Sequence, residues 1–258
     1  MCRLMSRLLK ALPLTLALAV LTIVTASCGT SSAPAQVRFV HAIQDAPTLD
    51  IDVTGPNTAS TPEFTHLSFL DVQPAQPGHT SVPSGSDTVA GVLSGTNTPV
   101  FTSTVGWGAG ANYTVVATGF SKTGKNGSNV VLLSIPDNIP TPPSGDVEFR
   151  VINASPSVPK VDVYIELNPN IGPGLPIAIQ GLTYTQASNY LTFVFNPNNS
   201  TPPPGFTVYV TASGSTTPIY ITENLSPSTA GAVRTLVLTD APTGGTMNST
   251  FVELSDLN

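Results

Sequence analysis

Cysteine is almost absent from this chain, which has only two, Cys2 and Cys28, among its 258 residues. Both lie near the start, so no disulfide can stabilise the remaining sequence, and the fold must depend on an apolar core. Three motifs that place metal ligands or a catalytic nucleophile are absent as well: Cys-x-x-Cys, His-Glu-x-x-His and Gly-x-Ser-x-Gly. We therefore expect no cofactor, no metal and no catalytic residue.

Charged side chains are also scarce, at 9% of the chain against roughly 25% in globular proteins. Hydrophobic residues make up a normal 40%, so the composition indicates folded sheet with hydroxyl and amide groups on its solvent face, and not disorder. Nine basic residues stand against 15 acidic ones. Because no basic patch is available for phosphates, we exclude nucleic acid as a partner.

Long helical patterns are missing too, and apolar residues alternate with period two instead. Leu49, Ile51 and Val53 alternate with Asp50 and Asp52, which predicts a half-buried strand. Similar strands, separated by Gly, Pro and Asn, are predicted at Phe64–Leu70, Thr88–Leu93, Pro99–Val105, Tyr113–Thr118, Asn129–Ile135, Ile177–Leu182, Asn189–Phe195, Phe206–Thr211, Ile219–Glu223, Arg234–Leu238 and Thr250–Leu254. This spacing predicts an all-β fold of antiparallel β-sandwiches, of the immunoglobulin or transthyretin-like kind.

One strand–turn–strand signature occurs twice. Residues 37–53 read VRFVHAIQDAPTLDIDV, and residues 149–165 read FRVINASPSVPKVDVYI. Arg38 matches Arg150, and Asp50 matches Asp162, both 112 positions later. Residues 109–118 match residues 230–239 at an offset of 121. A repeat kept in register predicts two copies of one domain, the second carrying about nine extra residues.

The first 27 residues have the layout of a signal peptide. Basic residues at 3, 7 and 10 precede an apolar run from Ala11 to Val24, which is shorter than the ~20 residues of a membrane span. The run is followed by Thr-Ala-Ser-Cys at 25–28, which resembles the lipobox of bacterial lipoproteins. That resemblance implies cleavage before Cys28 and lipid attachment to its thiol. The alternative is an ordinary signal peptide with an incidental cysteine.

These landmarks divide the chain into five segments. We predict a signal peptide over 1–27, a tether over 28–36, a first β-sandwich over 37–135, a proline-rich linker over 136–146 and a second β-sandwich over 147–258. Four prolines in the linker favour an extended, semi-rigid spacer. The extra residues of the second copy are assigned to loops at Pro169–Pro176 and Asn196–Gly205, since loops absorb insertions more easily than strands.

The first copy resembles a known family. Residues 38–50 read Arg-x-x-His-Ala-x-x-Asp-Ala-Pro-x-x-Asp and residues 110–117 read Gly-x-x-Tyr-Thr-Val-Val-Ala; both are similar to the bacterial domain of unknown function 4397 family. The resemblance covers nearly all of both copies. It implies exported, often lipid-anchored β-sandwich modules, commonly in tandem, with no established activity. The second copy departs from the pattern at Asn153 and Ser157, which replace His41 and Asp45.

Four residues of the first copy are candidates for chemistry. His41 and Asp45, near Asp50 and Asp52, could form a metal site or an acid–base pair. However, Asn153 replaces His41 in the second copy, and asparagine keeps the hydrogen bonding of histidine but not its titration. We therefore favour a turn-holding role for His41, while a binding site private to the first copy stays open.

Two further features invite a structural interpretation. Trp107 lies in a glycine-rich segment, 106–110, that no helix follows, so the segment is no phosphate cradle. Trp107 is a candidate for ligand contact, with packing over the sandwich end as the alternative. The recurring arginine and aspartate predict a cross-strand ion pair within each copy, Arg38–Asp50 and Arg150–Asp162.

These features together predict an exported bacterial cell-envelope lipoprotein that is a non-catalytic binding or interaction module. Its partners would be the membrane, through the lipid on Cys28, and an envelope protein or glycan. Gly29 follows the cysteine, which leaves outer-membrane sorting open if the cell has two membranes. Two alternatives stay open: an envelope enzyme, glycan-acting or metal-dependent, centred on the first copy, and a purely structural spacer without a saturable ligand.

Overall fold

A computed structural model describes residues 32–55, 61–122, 130–166, 176–195, 205–225, 229–243 and 248–257. Cys28, the signal peptide and most of the two predicted insertion loops lie outside these residues. All regular secondary structure in the described ranges is β-strand, and none of these ranges contains a helix that could span a membrane.

The strands fall into two groups that match the two copies. The first copy contains β1 (Ala35–Ala42), β2 (Leu49–Thr54), β3 (Thr61–Leu67), β4 (Val72–Gln73), β5 (Thr80–Val82), β6 (Gly85–Leu93), β7 (Pro99–Trp107), β8 (Asn112–Thr118) and β9 (Val131–Pro136). The second contains β10 (Asp146–Asn153), β11 (Lys160–Glu166), β12 (Ile179–Thr183), β13 (Leu191–Val194), β14 (Phe206–Ala212), β15 (Pro218–Leu225), β16 (Val233–Asp240) and β17 (Ser249–Leu257).

Each copy is a sandwich of two sheets. In the first, an outer sheet of order β3-β2-β6-β7 packs on an inner sheet of order β4-β1-β8-β9, in which β5 also pairs with β1. In the second, an outer sheet β12-β11-β14-β15 packs on an inner sheet β13-β10-β16-β17. Alternating residues fill both cores; Ile51 and Phe39 are fully buried in the first, and Val163 and Phe149 in the second. The predicted fold class of tandem all-β sandwiches is confirmed.

The inner sheets differ from a purely antiparallel arrangement. Strand β1 pairs with β8 in parallel, and β10 pairs with β16 in the same way. Both strands of each pair are nearly continuous in buried residues, as parallel strands covered on both faces usually are. Alternation alone cannot reveal this, because it reports which face is wet and not which strand is the neighbour.

The second face of each inner sheet is covered by the other copy. A third apolar cluster joins Val40, Ala42 and Val116 of the first copy to Ile152 and Val237 of the second. All five are at most 1% exposed, and fully burying a valine or isoleucine side chain contributes roughly 1.5–3 kcal/mol. The molecule is therefore four sheets deep, in the order outer, inner, inner, outer.

The two sandwiches point in the same direction. Hydroxyl groups at the ends of β8 and β16 cross the interface: Thr118 donates to the carbonyl of Ala154, and Thr239 donates to the carbonyl of Ala42 at 3.3 Å. These reciprocal bonds relate the copies by an approximate two-fold axis along the strands. We call the end where β1 begins the entry end, and the end that holds the β6–β7 turn (94–98) and the β14–β15 turn (213–217) the far end.

Candidate functional site

The two copies exchange ion pairs across their interface. Arg38 of the first copy bonds Asp256 of the second through Nη2, and Arg150 of the second copy lies 2.7 Å from Oδ1 of Asp137, which follows β9 of the first. The same Asp137 is 3.6 Å from Arg38. These four side chains are 0–4% exposed. Two buried cations are thus balanced by two buried anions.

Neutral hydrogen bonds complete this network, which we call the interface network. The Nε groups of Arg38 and Arg150 donate to Thr114 Oγ1 at 2.8 Å and to Thr235 Oγ1 at 3.0 Å. Burial raises the pKa of Asp137, but a bond from His79 and the charges of both arginines outweigh it and hold that pKa below 3.8. The carboxylate is therefore ionised at neutral pH.

The predicted ion pairs Arg38–Asp50 and Arg150–Asp162 are wrong. The arginines point into the interface, whereas Asp50 faces the other way, toward the β6–β7 turn. Asp50 accepts bonds from the backbone N–H of His66 at 2.7 Å and from Ser94 Oγ at 3.0 Å. Its pKa is lowered chiefly by the His66 N–H.

Asp162 has the same role in the second copy. It accepts from the N–H groups of Gly181 at 2.7 Å and Gly214 at 3.0 Å, and from Ser213 Oγ at 3.1 Å. Burial raises its pKa, but these donors outweigh that effect, so the net shift is downward. The aspartate repeated in both copies thus holds the far-end hairpin in place.

His41 is a buried residue that closes a turn. Its Nδ1 accepts from the backbone N–H of Ile43 at 3.2 Å, and its Nε2 lies 3.3 Å from the carbonyl of Pro47. Burial lowers its pKa, so the imidazole is neutral and Nε2 is the donor. Asn153 makes the equivalent bond in the second copy, accepting from the N–H of Ser155 at 3.1 Å. The structure thus agrees with a turn-holding role.

Asp45 also bonds to a neighbouring loop. It accepts from the backbone N–H groups of Ser121 at 2.7 Å and Lys122 at 3.2 Å. Burial raises its pKa, but these donors give a net lowering. In the second copy the roles are exchanged, since Ser157 on the turn donates to Asp240 at the end of β16 at 2.8 Å. Comparing the two copies in sequence reveals the loss of the acid at position 157. It does not reveal that Asp240, on a different strand, supplies an acid in its place.

Trp107 is a core residue and not a loop tip. It ends β7, is 5% exposed and packs edge-on against Tyr113, with ring centroids 5.4 Å apart. Nearby Asp87 is 1% exposed, and burial raises its pKa, an effect that the Trp107 N–H only partly offsets. Within the described ranges, neither the carboxylate nor the indole N–H has a hydrogen-bond partner of normal geometry.

Two clefts lie where the copies meet. The far-end cleft has a volume of about 580 Å³ and is lined by Gln44, Asp45, Pro47 and Lys122 of the first copy and Thr243 of the second. A second cleft, of about 240 Å³, lies beside the linker. Its walls include Ile135, Pro136 and Asn138 on one side, and Arg150, Ser188 and Tyr190 on the other. We call it the linker cleft.

The catalytic candidates do not converge on one site. His41 bonds within the turn at residues 43–47, and Asp45 bonds residues 121–122. Asp50 bonds His66 and Ser94 instead. Among the described residues, no group of three or more His, Cys, Asp or Glu side chains is placed to hold a metal ion. Their geometry stabilises the far-end loops.

Comparison with known proteins identifies the family. The family described as a domain of unknown function (DUF4397) matches residues 35–164, which span the first sandwich, β10 and most of β11. No curated protein matches the chain.

Three solved structures are similar to the chain at low identity. A candidate adhesin from Bacteroides ovatus is 10% identical, with 88% of this chain and 95% of the other covered and a TM-score of 0.26. A streptococcal virulence factor, in a structure of alpha-glucan binding, is 11% identical, with 79% and 92% covered and a TM-score of 0.24. A candidate cell adhesion protein from Bacteroides eggerthii is 8% identical, with 87% and 95% covered and a TM-score of 0.24. The family match covers half of the chain, and the chain belongs to the DUF4397 family.

Proposed function

We propose that this chain is a lipid-anchored protein of the bacterial cell envelope that binds a partner, an envelope protein or a glycan, through its far end. One observation carries the proposal. The hairpin turns of both sandwiches lie at the end of the molecule opposite to the point where the chain enters at Ala35.

The anchor rests on the sequence around Cys28. Six residues separate Cys28 from Ala35, and they can span at most ~20–25 Å. Strand β7 alone has nine residues and is roughly 30 Å long. With a lipid on Cys28, the entry end stays near the membrane and the far end is displayed away from it.

The turns of the far end also differ between the two copies. The turn that carries His41 and Asp45 in the first copy carries Asn153 and Ser157 in the second, and the far-end cleft lies beside it. The scaffold below the turns is shared by both copies, since the interface network and the Asp50 and Asp162 bonds recur. Turns that differ on a shared, rigid support suit recognition of a partner.

The two alternatives are less well supported. An enzyme of the first copy would need His41, Asp45 and Asp50 to act together, but each is bonded to a different turn. A purely structural spacer is separated from a binding module by experiment: only the binding module has a saturable partner.

The test uses the soluble chain from Gly29 onward as bait on intact envelope. Two pairs of equivalent exposed positions provide matched variants: Asn97→Arg with Thr216→Arg at the far end, and Ala109→Arg with Ala230→Arg at the entry end. We expect saturable capture that falls at least ~10-fold with the far-end pair and is unchanged with the entry-end pair. Capture lost only with the entry-end pair would contradict the proposal, and the absence of saturable capture would favour the spacer.

A further inference from the structure

The chain covers one of its own sheet edges with a glutamine. Gln76 lies between β4 and β5, and its side-chain amide bonds the backbone of the edge strand β17 of the other copy. Nε2 donates to the carbonyl of Glu253 at 3.0 Å, and Oε1 accepts from the N–H of Ser255. A single carboxamide thus satisfies one acceptor and one donor of an open edge, as a neighbouring strand would.

The approximate two-fold axis places an equivalent edge on β9. Strand pairing aligns Glu253 with Ser134 and Ser255 with Pro136, because Leu236 and Val115 hold equivalent positions in β16 and β8. The arginines agree: Nη1 of Arg38 donates to the Ser255 carbonyl at 3.4 Å, and Nη1 of Arg150 donates to the Pro136 carbonyl at 3.2 Å.

Flanking residues extend the equivalence. His79 immediately precedes β5 and lies 3.3 Å from Asp137; Tyr190 immediately precedes β13 and donates to Asp256 at 2.9 Å. Each of these residues therefore bonds the aspartate that its own copy contributes to the interface network, Asp137 in the first copy and Asp256 in the second. The linker cleft is lined by Pro136, Arg150 and Tyr190, which correspond to the groups around Gln76.

The second copy lacks a counterpart of Gln76. Leu67 and Leu182 hold equivalent positions in the two copies, and each is followed by a segment that leads to the edge strand of the inner sheet. That segment runs over residues 68–79 in the first copy but only over 183–190 in the second. The shorter segment leaves the linker cleft, about 240 Å³ in volume, at the position that Gln76 and its neighbours fill in the other half.

We propose that the linker cleft binds the side-chain carboxamide of an extended peptide segment from a partner protein. The amide N–H₂ would donate to the carbonyl of Ser134, the counterpart of Glu253. Pro136 has no N–H to play the part of Ser255, so the amide oxygen would accept from the guanidinium of Arg150. Because Asp137 already neutralises Arg150, a neutral amide fits this cleft better than a carboxylate or an ammonium group.

This site is independent of the proposed far-end function, because it lies on the side of the linker and shares none of the far-end residues. The two proposals can fail separately: the far-end variants test one, and substitutions in the linker cleft test the other.

The probe is an acetylated and amidated peptide that copies residues 72–79, Val-Gln-Pro-Ala-Gln-Pro-Gly-His. It is titrated into the isotope-labelled chain from Gly29 onward and followed by amide NMR. We expect saturable shifts centred on Ile135, Asn138 and Ser188, with a dissociation constant on the order of 1 mM or tighter. A peptide with alanine at the position of Gln76 should bind at least ~10-fold more weakly, and glutamate there should weaken binding as well.

A matched pair of chain variants locates the site. Asn138 is exposed at the rim of the linker cleft, and Leu257, 42% exposed, stands at the equivalent position in the other half. We expect Asn138→Trp to abolish peptide binding and Leu257→Trp to leave it unchanged, both with an unaltered melting temperature. Equal binding of the glutamine and alanine peptides, shifts elsewhere on the chain, or no saturation by roughly 10 mM peptide would overturn the proposal.

Discussion

The variant Asp137→Asn tests the joining of the two copies by removing one charge from the interface network. Asp137 serves Arg150 at 2.7 Å and Arg38 at 3.6 Å, and it accepts from Thr114 Oγ1 at 2.8 Å. Asparagine has the same shape and can still accept from Thr114. The change therefore takes from the buried Arg150 guanidinium the carboxylate that it contacts in the parent chain, while Arg38 keeps its bond to Asp256.

The expected loss follows from the burial of these groups. The side chains are 0–4% exposed, and removing one partner of a buried ion pair costs about 3–5 kcal/mol. Because some hydrogen bonds survive, we expect the free energy of unfolding to fall by about 3 kcal/mol, at the low end of that range. For a chain of this size, that loss lowers the melting temperature by roughly 6–12 °C.

The assay is urea unfolding at pH 7 with a carboxylate-to-amide control at the rim. Glu253 pairs with Arg234 at 3.2 Å but is 40% exposed, so Glu253→Gln is expected to cost less than ~1 kcal/mol. The double variant Asp137→Asn, Arg150→Gln should lose less than the sum of the single losses, because it also removes a stranded cation. A loss for Asp137→Asn no larger than that for Glu253→Gln would refute the reasoning.

The pH dependence of this acid has a definite sign. The pKa of Asp137 in the folded chain lies below 3.8, so its contribution is present above pH ~3.8 and is lost as the pH falls through the lower, folded value. We expect the difference between the parent chain and Asp137→Asn to shrink in that acidic range. A difference that grew as the pH fell would contradict the assignment of an ionised carboxylate.

Three further predictions concern single residues. Asp87 is buried with a raised pKa where the second copy has the core residue Phe206, so Asp87→Leu should raise the free energy of unfolding at pH 7 by about 1–3 kcal/mol. That gain should shrink as the pH falls toward ~4, because protonation stabilises the parent; a pH-independent gain would argue against it. His41→Asn, which copies Asn153, should cost less in thermal unfolding than His41→Leu, which strands a turn N–H at about 1–3 kcal/mol; equal costs would reject the turn-holding role. Cys28→Ala should abolish fatty-acid labelling and release the protein from membranes, and unchanged labelling would reject the lipid anchor.

Much of the fold could be predicted from local pattern. The alternation in β2 and β11 and the breaks between them define half-buried strands, and the repeat defines two copies. The short strands β4 and β5 were missed, because two or three residues carry no readable period. The parallel β1–β8 pairing was missed because alternation does not identify a strand's neighbour.

The contact between the copies could not be predicted. Arg38 and Arg150 recur with Asp50 and Asp162 at one offset, which suggests a contact inside each copy. Reciprocal contacts across an approximate two-fold axis repeat at a fixed offset in the same way, so the pattern cannot distinguish the two cases. Asp137, which contacts both arginines, lies in the segment predicted as a linker. The proline content of that segment indicated an exposed spacer and gave no reason to expect a buried acid there.

The candidate site was predicted in part. The replacement of His41 by Asn153 correctly pointed to hydrogen bonding in a turn, because both side chains can accept from a backbone N–H. The exchange of Asp45 for Ser157 could not be interpreted from one strand, since its compensation, Asp240, lies more than 80 residues away. Gln76 carried no signal, as its role depends on an edge strand of the other copy.

The most direct test of the proposed function is site-specific photo-crosslinking in the living bacterium. A photoreactive amino acid is placed, one position at a time, at Asn97 and Thr216 on the far end and at Ala109 and Ala230 on the entry end, all four of which are exposed. We predict that the two far-end positions crosslink a common envelope partner and that the two entry-end positions do not. Crosslinks to that partner from the entry end, with none from the far end, would contradict the proposal that the chain binds through its far end.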